Sequence, residues 1–81
     1  MPCSVYILRC ADGTLYTGWT TDLEARVRMH NAGRGAKYTA GRRPVIVVHS
    51  ESYQSRSAAL KREAEIKSWT RAEKDDLIRG R

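Results

Sequence analysis

The sequence predicts an α/β protein of the α+β type: a small three-stranded mixed sheet flanked by helices, in the order β-β-α-β-α-α. Three observations predict it. Two segments rich in β-branched and aromatic residues, Cys3–Arg9 and Thr14–Trp19, flank the turn signal Ala11-Asp12-Gly13. Two S/T-x-x-E sequences, Thr21 to Glu24 and Thr70 to Glu73, have the form of a capping box at a helix start. Between them, Val45–Ser50 is an apolar, β-branched run with no Pro or Gly inside it.

The first two strands form a hairpin, and its loop length decides which side chains share a face. A two-residue Asp-Gly loop pairs Cys10 with Leu15 and sends Tyr6 and Tyr16 to opposite faces. A three-residue loop, Ala11 to Gly13 with Gly13 left-handed, pairs Cys10 with Thr14. That register puts Tyr6, Leu8, Tyr16 and Gly18 on one face, and Val5, Ile7, Leu15, Thr17 and Trp19 on the other. It separates an apolar face from a tyrosine face, and it is the arrangement expected here. A helix follows from Asp22 to Asn31, with Thr21 as N-cap and Gly33 as its stop. Leu23 and Val27 supply its apolar stripe, and Arg26 and His30, four apart, share its edge. A basic, glycine-rich loop leads to Pro44 and the third strand. Ser55 or Ser57 then caps an amphipathic helix over Ser57–Trp69, and a last short helix runs from Thr70 to a stop at Gly80.

Eighty-one residues make one domain, 1–81, with room for one small core. No apolar run approaches the roughly 20 residues a bilayer span needs, so no membrane partner is expected. Met1-Pro2-Cys3-Ser4 lacks the charge, apolar stretch and cleavage site of a secretory signal, and a cytoplasmic location is expected. Cys3 and Cys10 bracket one strand, which holds them about 20 Å apart, beyond disulfide reach. Fifteen basic against nine acidic side chains give a formal charge of +6, which points to an anionic partner, most simply nucleic acid. The charge is concentrated in the loop from Arg34 to Arg43. Arg34, Lys37, Arg42 and Arg43 can track a phosphate backbone there, and Tyr38 can stack on a base; the alternative is a solvated connector.

One glutamate stands where a core residue is expected. At about 100° per residue, Ala59, Leu60, Ile66 and Lys67 fall on one arc of their helix, and Glu63 lies in its middle, whereas Glu65 projects to solvent. A carboxylate facing a core is costly unless it is paired or bound to a cation. The candidate pairs are Arg26 and Lys67; the candidate cation is a divalent metal. His49 and Trp69 are assigned to packing.

Taken with what lies upstream, Glu63 closes an ordered series: Ser4-Val5-Tyr6, Tyr16-Thr17-Gly18, Arg26, His30 and Glu63. This series resembles the GIY-YIG nuclease domain over nearly the whole chain, in the manner of its small stand-alone members. The resemblance implies the same fold and a metal-dependent endonuclease that hydrolyses phosphodiester bonds, in DNA rather than RNA, with low intrinsic sequence specificity. It implies that Glu63 holds one divalent metal ion, Mg²⁺ or Mn²⁺. Arg26 stabilises charge on the phosphate, Tyr6 positions water or phosphate, and Tyr16 activates the water with His30 assisting. From residue chemistry alone His30, with an ordinary pKa near 6.5, is the first choice of base, so Tyr16 and His30 both stand as candidates. Family nucleases with defined targets take specificity from attached domains or partner proteins, and a partner supplying specificity is expected. A non-catalytic nucleic-acid-binding module is the rival reading. The sequence departs from the family pattern twice: serine stands at position 4 where glycine is usual, and no asparagine follows Glu63, the one asparagine being Asn31.

Overall fold

The computed structural model of the chain describes residues 2–80; Met1 and Arg81, the ends of the expected domain, lie outside the described residues. The elements are β1 (Cys3–Arg9), β2 (Leu15–Thr20), α1 (Leu23–Asn31), α2 (Lys37–Ala40), β3 (Ile46–Tyr53), α3 (Arg56–Lys67) and α4 (Arg71–Ile78). The expected order holds, with α2 added inside the basic loop. No helix is long and apolar enough to cross a membrane, among the described residues.

The hairpin closes as its turn chemistry dictates. Cys10 N–H donates to Thr14 O at 2.8 Å, Gly13 N–H donates to Cys10 O, and Gly13 is left-handed at φ +84°. Tyr6 therefore faces Gly18 across the ladder, and Leu8 faces Tyr16. β3 pairs with the other edge of β1, also antiparallel, giving the strand order β2-β1-β3. The expected mixed sheet is thus corrected to a wholly antiparallel one. β2 and β3 do run the same way, as a crossover through α1 requires, but β1 sits between them and no parallel ladder forms. β3 also reaches Tyr53 rather than stopping at Ser50, because its polar second half still finds partners in Cys3 and Ser4 of β1. A register shift between Ile7 and Leu8 leaves Val48 unpaired against β1 and turned into the core.

The two faces of β1 carry separate clusters. Cys3, Val5 and Ile7 pack with Ala59 and Ile66 of α3, flanked by Leu15, Trp19, Trp69, Leu77 and Ile78. Tyr6, Leu8 and Cys10 pack with Val45, flanked by Tyr16, Leu23 and Val27. The tyrosine face is therefore a second core roofed by α1, and the two cysteines end in different clusters.

Helix starts are set by local hydrogen bonds. The expected N-cap Thr21 is corrected to Asp22, whose carboxylate accepts the N–H of Ala25 at 3.1 Å. The shift arises one residue earlier, where Thr20 Oγ1 accepts the N–H of Asp22 and tightens the turn. α1 ends in a Schellman motif: Gly33 N–H donates to His30 O, Arg34 N–H donates to Met29 O, and Gly33 has φ +82°. Ser55 caps α3, and Thr70 with Glu73 forms the expected capping box on α4. The buried arc of α3 differs from expectation. Ala59 and Ile66 are fully buried, but Leu60 and Lys67 stand outside. The helix is turned so that Arg62 and Glu63, both half-buried, flank the Ala59–Ile66 line.

Candidate active site

The site is built around the Tyr6 phenol at the β2 edge of the sheet. Tyr6 points across Gly18, where a Cβ would lie 2.6 Å from the phenol oxygen, so only glycine leaves room. α1 lays His30 over the same spot. Tyr6 Oη and His30 Nε2 are 3.0 Å apart, and His30 Nδ1 is 2.7 Å from Thr39 Oγ1. The Thr39 hydroxyl has one proton and gives it to Ala36 O at 3.2 Å. Nδ1–H of His30 must then donate to Thr39, and Nε2 keeps the lone pair that accepts from Tyr6. The column Tyr6–His30–Thr39 thus fixes a neutral histidine in one tautomer. Gly35 packs directly on the imidazole, since a Cβ there would lie 2.3 Å from Nδ1.

The electrostatics agree with that column. Burial pushes the Tyr6 phenol up to about 12, helped by Tyr16 and, more weakly, by Glu63, and opposed by the neighbouring Arg26 guanidinium. Burial and the Arg26 charge both push His30 below its ordinary value of 6.5. A buried imidazole with both nitrogens engaged and a cation nearby is held neutral.

Tyr16 is half-buried, with its ring edge-on to His30 at 5.2 Å between centroids, and no group among the described residues holds its hydroxyl. Its other neighbour is Tyr38, stacked at 5.9 Å. Arg42 covers Tyr38 at 4.1 Å from the ring centroid, gives its Nη1 proton to Tyr38 O and is paired with Asp12 at 3.0 Å. Arg43 donates to Ala40 O and Asn31 O. Two of the four basic loop residues are therefore tied into the fold, while Arg34 and Lys37 are exposed. The loop is a hydrogen-bonded cap carrying a short helix, with Arg34, Lys37 and Tyr38 exposed on it.

Glu63 reaches the site from α3. Its side chain is 16% exposed, and its one ion-pair partner among the described residues is Lys67 Nζ, 3.5 Å away and half exposed. Of the two pairings considered for Glu63, Lys67 supplies the partner. No group of three His, Cys, Asp or Glu side chains gathers anywhere among the described residues. A hard divalent ion here would have one protein carboxylate, with water and substrate oxygens as its remaining ligands. That donor set fits Mg²⁺, which retains several waters, better than an ion needing an all-protein cage.

His30 and Arg26 hydrogen-bond the Tyr6 phenol, Tyr16 lies against the same histidine, and Glu63, 57 positions from Tyr6 in the chain, is near enough for its charge to act on that phenol. Thr39, Gly35 and Asn31 carry functions that sequence reasoning missed. Asn31 binds both backbone groups of Val45, through Oδ1 at 2.7 Å and Nδ2 at 3.1 Å, and so fixes where β3 begins. Their one local signal is a small or amide residue placed where a loop must turn back on a helix.

A family model described as the GIY-YIG catalytic domain matches residues 2–76. The chain belongs to the GIY-YIG family. GIY-YIG is a nuclease family, and the relatives of this member are likewise small. It is 64% identical to a UPF0213 protein of Haloquadratum walsbyi over 73 residues, which cover 90% of this chain and 82% of that protein. It is 57% identical to a UPF0213 protein of Staphylococcus aureus over 77 residues, covering 95% and 94%. The solution NMR structure of a UPF0213 protein from Bacillus halodurans is similar at TM-score 0.63 and 44% identity, over 96% of this chain and 83% of that one. A second NMR structure, of a protein from E. faecalis, is similar at TM-score 0.68 and 45% identity, over 99% and 85%.

Proposed function

We propose that this GIY-YIG protein is an endonuclease that hydrolyses phosphodiester bonds in DNA, using one divalent ion, Mg²⁺ or Mn²⁺, and little sequence preference of its own. GIY-YIG nucleases generally depend on a divalent metal. The observation that carries the reading is the convergence on one phenol of a guanidinium with no carboxylate partner among the described residues, a loosely paired carboxylate and a fixed Tyr–His–Thr column. A structural polar cluster has no need of the first two.

Each residue takes the role its surroundings allow. Tyr6 gives its proton to His30 and accepts a hydrogen bond from the Arg26 guanidinium, so it positions the group that meets the phosphate. His30 is fully buried and neutral; it acts by holding Tyr6 rather than by meeting water itself. Tyr16 keeps a hydroxyl that no group among the described residues engages, and it is the proposed acceptor of the water's proton, acting as the phenolate after its own proton has passed to solvent. Arg26 forms no ion pair with any described carboxylate, and with one proton on the Tyr6 oxygen it keeps further N–H groups for the oxygens of the phosphate in the transition state. Glu63 would hold the metal, which when bound supplies positive charge to the phosphate and the leaving oxygen. Arg34, Lys37 and Tyr38 extend the surface that meets nucleic acid, with Arg42 and Arg43 bracing it. A partner protein supplying target specificity and a cytoplasmic location complete the proposal.

The test is cleavage of labelled single-stranded, duplex, flap and branched DNA with Mg²⁺ or Mn²⁺, for wild type, Glu63→Gln and Tyr16→Phe. Metal-dependent products that vanish in both variants, with binding retained, support the nuclease. Equal binding by all three proteins in chelator, and no product on any substrate, replaces it with a binding module.

A further inference from the structure

A second basic feature lies beside the candidate active site and outside the loop that the sequence marks as basic. Trp19 and Thr20 at the end of β2, Thr21 before α1, Arg26 of α1 and Arg56 at the start of α3 line an open cleft of about 220 Å³. Arg56 is held there by the indole, with its guanidinium carbon 5.3 Å from the Trp19 ring centroid. The Thr20 hydroxyl is taken by the backbone of Asp22, which leaves the exposed Thr21 hydroxyl for an occupant.

The charge of this cleft is uncompensated. Arg42, Arg62, Arg71, Arg79 and Lys67 each have a carboxylate within ion-pair distance, whereas neither Arg26 nor Arg56 has one among the described residues. Two guanidinium groups lining one concavity repel unless an anion lies between them, and guanidinium geometry suits two oxygens of a phosphate. Volume narrows the choice further. Sites for whole small molecules run from about 300 Å³ upward, so this one suits a phosphate with part of its sugar rather than a complete nucleotide. Arg26 is shared with the candidate active site, which places any occupant immediately alongside the reacting phosphate.

We propose that this cleft seats the backbone phosphate next to the attacked one on the same strand, with Arg56 as its principal ligand. That the neighbouring phosphate is attacked rests on the nuclease reading; the binding of a backbone phosphate does not. Arg56 is then a binding residue that sets which bond of the strand enters the site, and the substrate crosses the β2 edge from the Arg56 side toward the Tyr38 side.

Two measurements test it. The first is anisotropy of a labelled single-stranded oligonucleotide in chelator over a range of salt, for wild type, Arg56→Gln and Arg56→Lys. The expected result is binding about tenfold weaker for Arg56→Gln with a salt slope reduced by about one, and a near wild-type slope for Arg56→Lys, which keeps the charge without the stacked guanidinium. The second is cleavage with Mg²⁺ of strands carrying one neutral methylphosphonate at successive positions. Neutralising the phosphate beside the cut slows wild type and leaves Arg56→Gln unaffected. Wild-type affinity and slope in Arg56→Gln would overturn the cleft, as would unchanged sensitivity to the neighbouring methylphosphonate. A reduced slope with no cleavage of any strand removes the nuclease reading and keeps the phosphate site; cleavage that needs Glu63 but ignores Arg56 does the reverse.

Discussion

Two half-buried glutamates, Glu51 and Glu63, sit on opposite sides of α3 and are treated very differently. Glu51 on β3 accepts from Arg62 Nε at 2.8 Å and Nη2 at 3.0 Å, from Tyr53 Oη at 2.7 Å and from His49 Nε2 at 2.8 Å. Arg62 in turn lies over Trp69 and pairs with Glu65. The Arg62 hydrogen bonds, opposed by burial and aided by Tyr53 and His49, hold the Glu51 carboxyl at about 2 against an ordinary 4.5. Glu63 has a comparable exposure, 16% against 19%, yet its one ion-pair partner among the described residues is an amine 3.5 Å away on a half-exposed side chain. Burial alone therefore does not mark a functional carboxylate. A carboxylate whose lone pairs are all used fastens β3 to α3; one left with spare lone pairs can bind a cation.

The sharpest way to break the contrast is Glu51→Gln. It removes the charge that Arg62, Tyr53 and His49 all point at, and chemical denaturation should show a loss on the order of 3 kcal/mol. The pH dependence carries the same information. A depressed carboxyl stabilises the fold fully above 4.5 and loses that contribution as pH falls to about 2, so wild type should weaken over that window more than Glu51→Gln, in which the depressed carboxyls of Asp12 and Glu73 remain. His30, also depressed, adds an earlier loss that begins as pH falls through 6.5, and this loss should remain in Glu51→Gln. Next in size is Glu63→Gln, which should leave the unfolding midpoint within a few degrees while metal-dependent cleavage drops by about a hundredfold or more, roughly 2.7 kcal/mol. Equal damage to stability by the two glutamine substitutions would erase the distinction.

Thr39→Val should cost about 1–2 kcal/mol, because a buried His30 Nδ1–H loses its acceptor. Nitrogen NMR should show His30 leaving its single tautomer in that variant; an unchanged tautomer would mean that Tyr6 alone sets it. The smallest effect belongs to Lys67→Ala, a few tenths of a kcal/mol by thermal unfolding, as for other exposed i,i+4 pairs. A loss near that of Glu51→Gln would instead make Lys67 a structural partner of Glu63.

Much of the hairpin was legible because turn chemistry is local. Gly13 sets the loop, the loop sets the register, and the register puts Tyr6 opposite Gly18. The helix starts at Ser55 and Thr70 were legible for the same reason, and the Thr21 cap missed by one residue because Thr20 competes for the same turn. The candidate site residues on β1, β2 and α1 came from the resemblance to the GIY-YIG domain; register and helical spacing put Tyr6 with Tyr16, and Arg26 with His30, on shared faces. Thr39 did not, since nothing local shows that a loop threonine nine positions after His30 folds back onto its ring. Nor did the division of labour among the arginines: Arg42 and Arg43 read as free cations, but the fold gives them Asp12, Tyr38 and backbone carbonyls.

By itself the sequence determined the order of the elements other than α2, the two faces of the hairpin and the place of Glu63 on an inward-facing part of its helix, because periodicity and turn residues act over a few positions. Only the tertiary structure decided that β1 would separate β2 from β3, that α3 would turn Leu60 outward and Arg62 inward, and which glutamate would be saturated with donors. Those outcomes depend on partners tens of residues away. Hydrogen bonds to a carboxylate are short-ranged, so an acidic residue's role is fixed only when the chain brings its donors within about 3 Å.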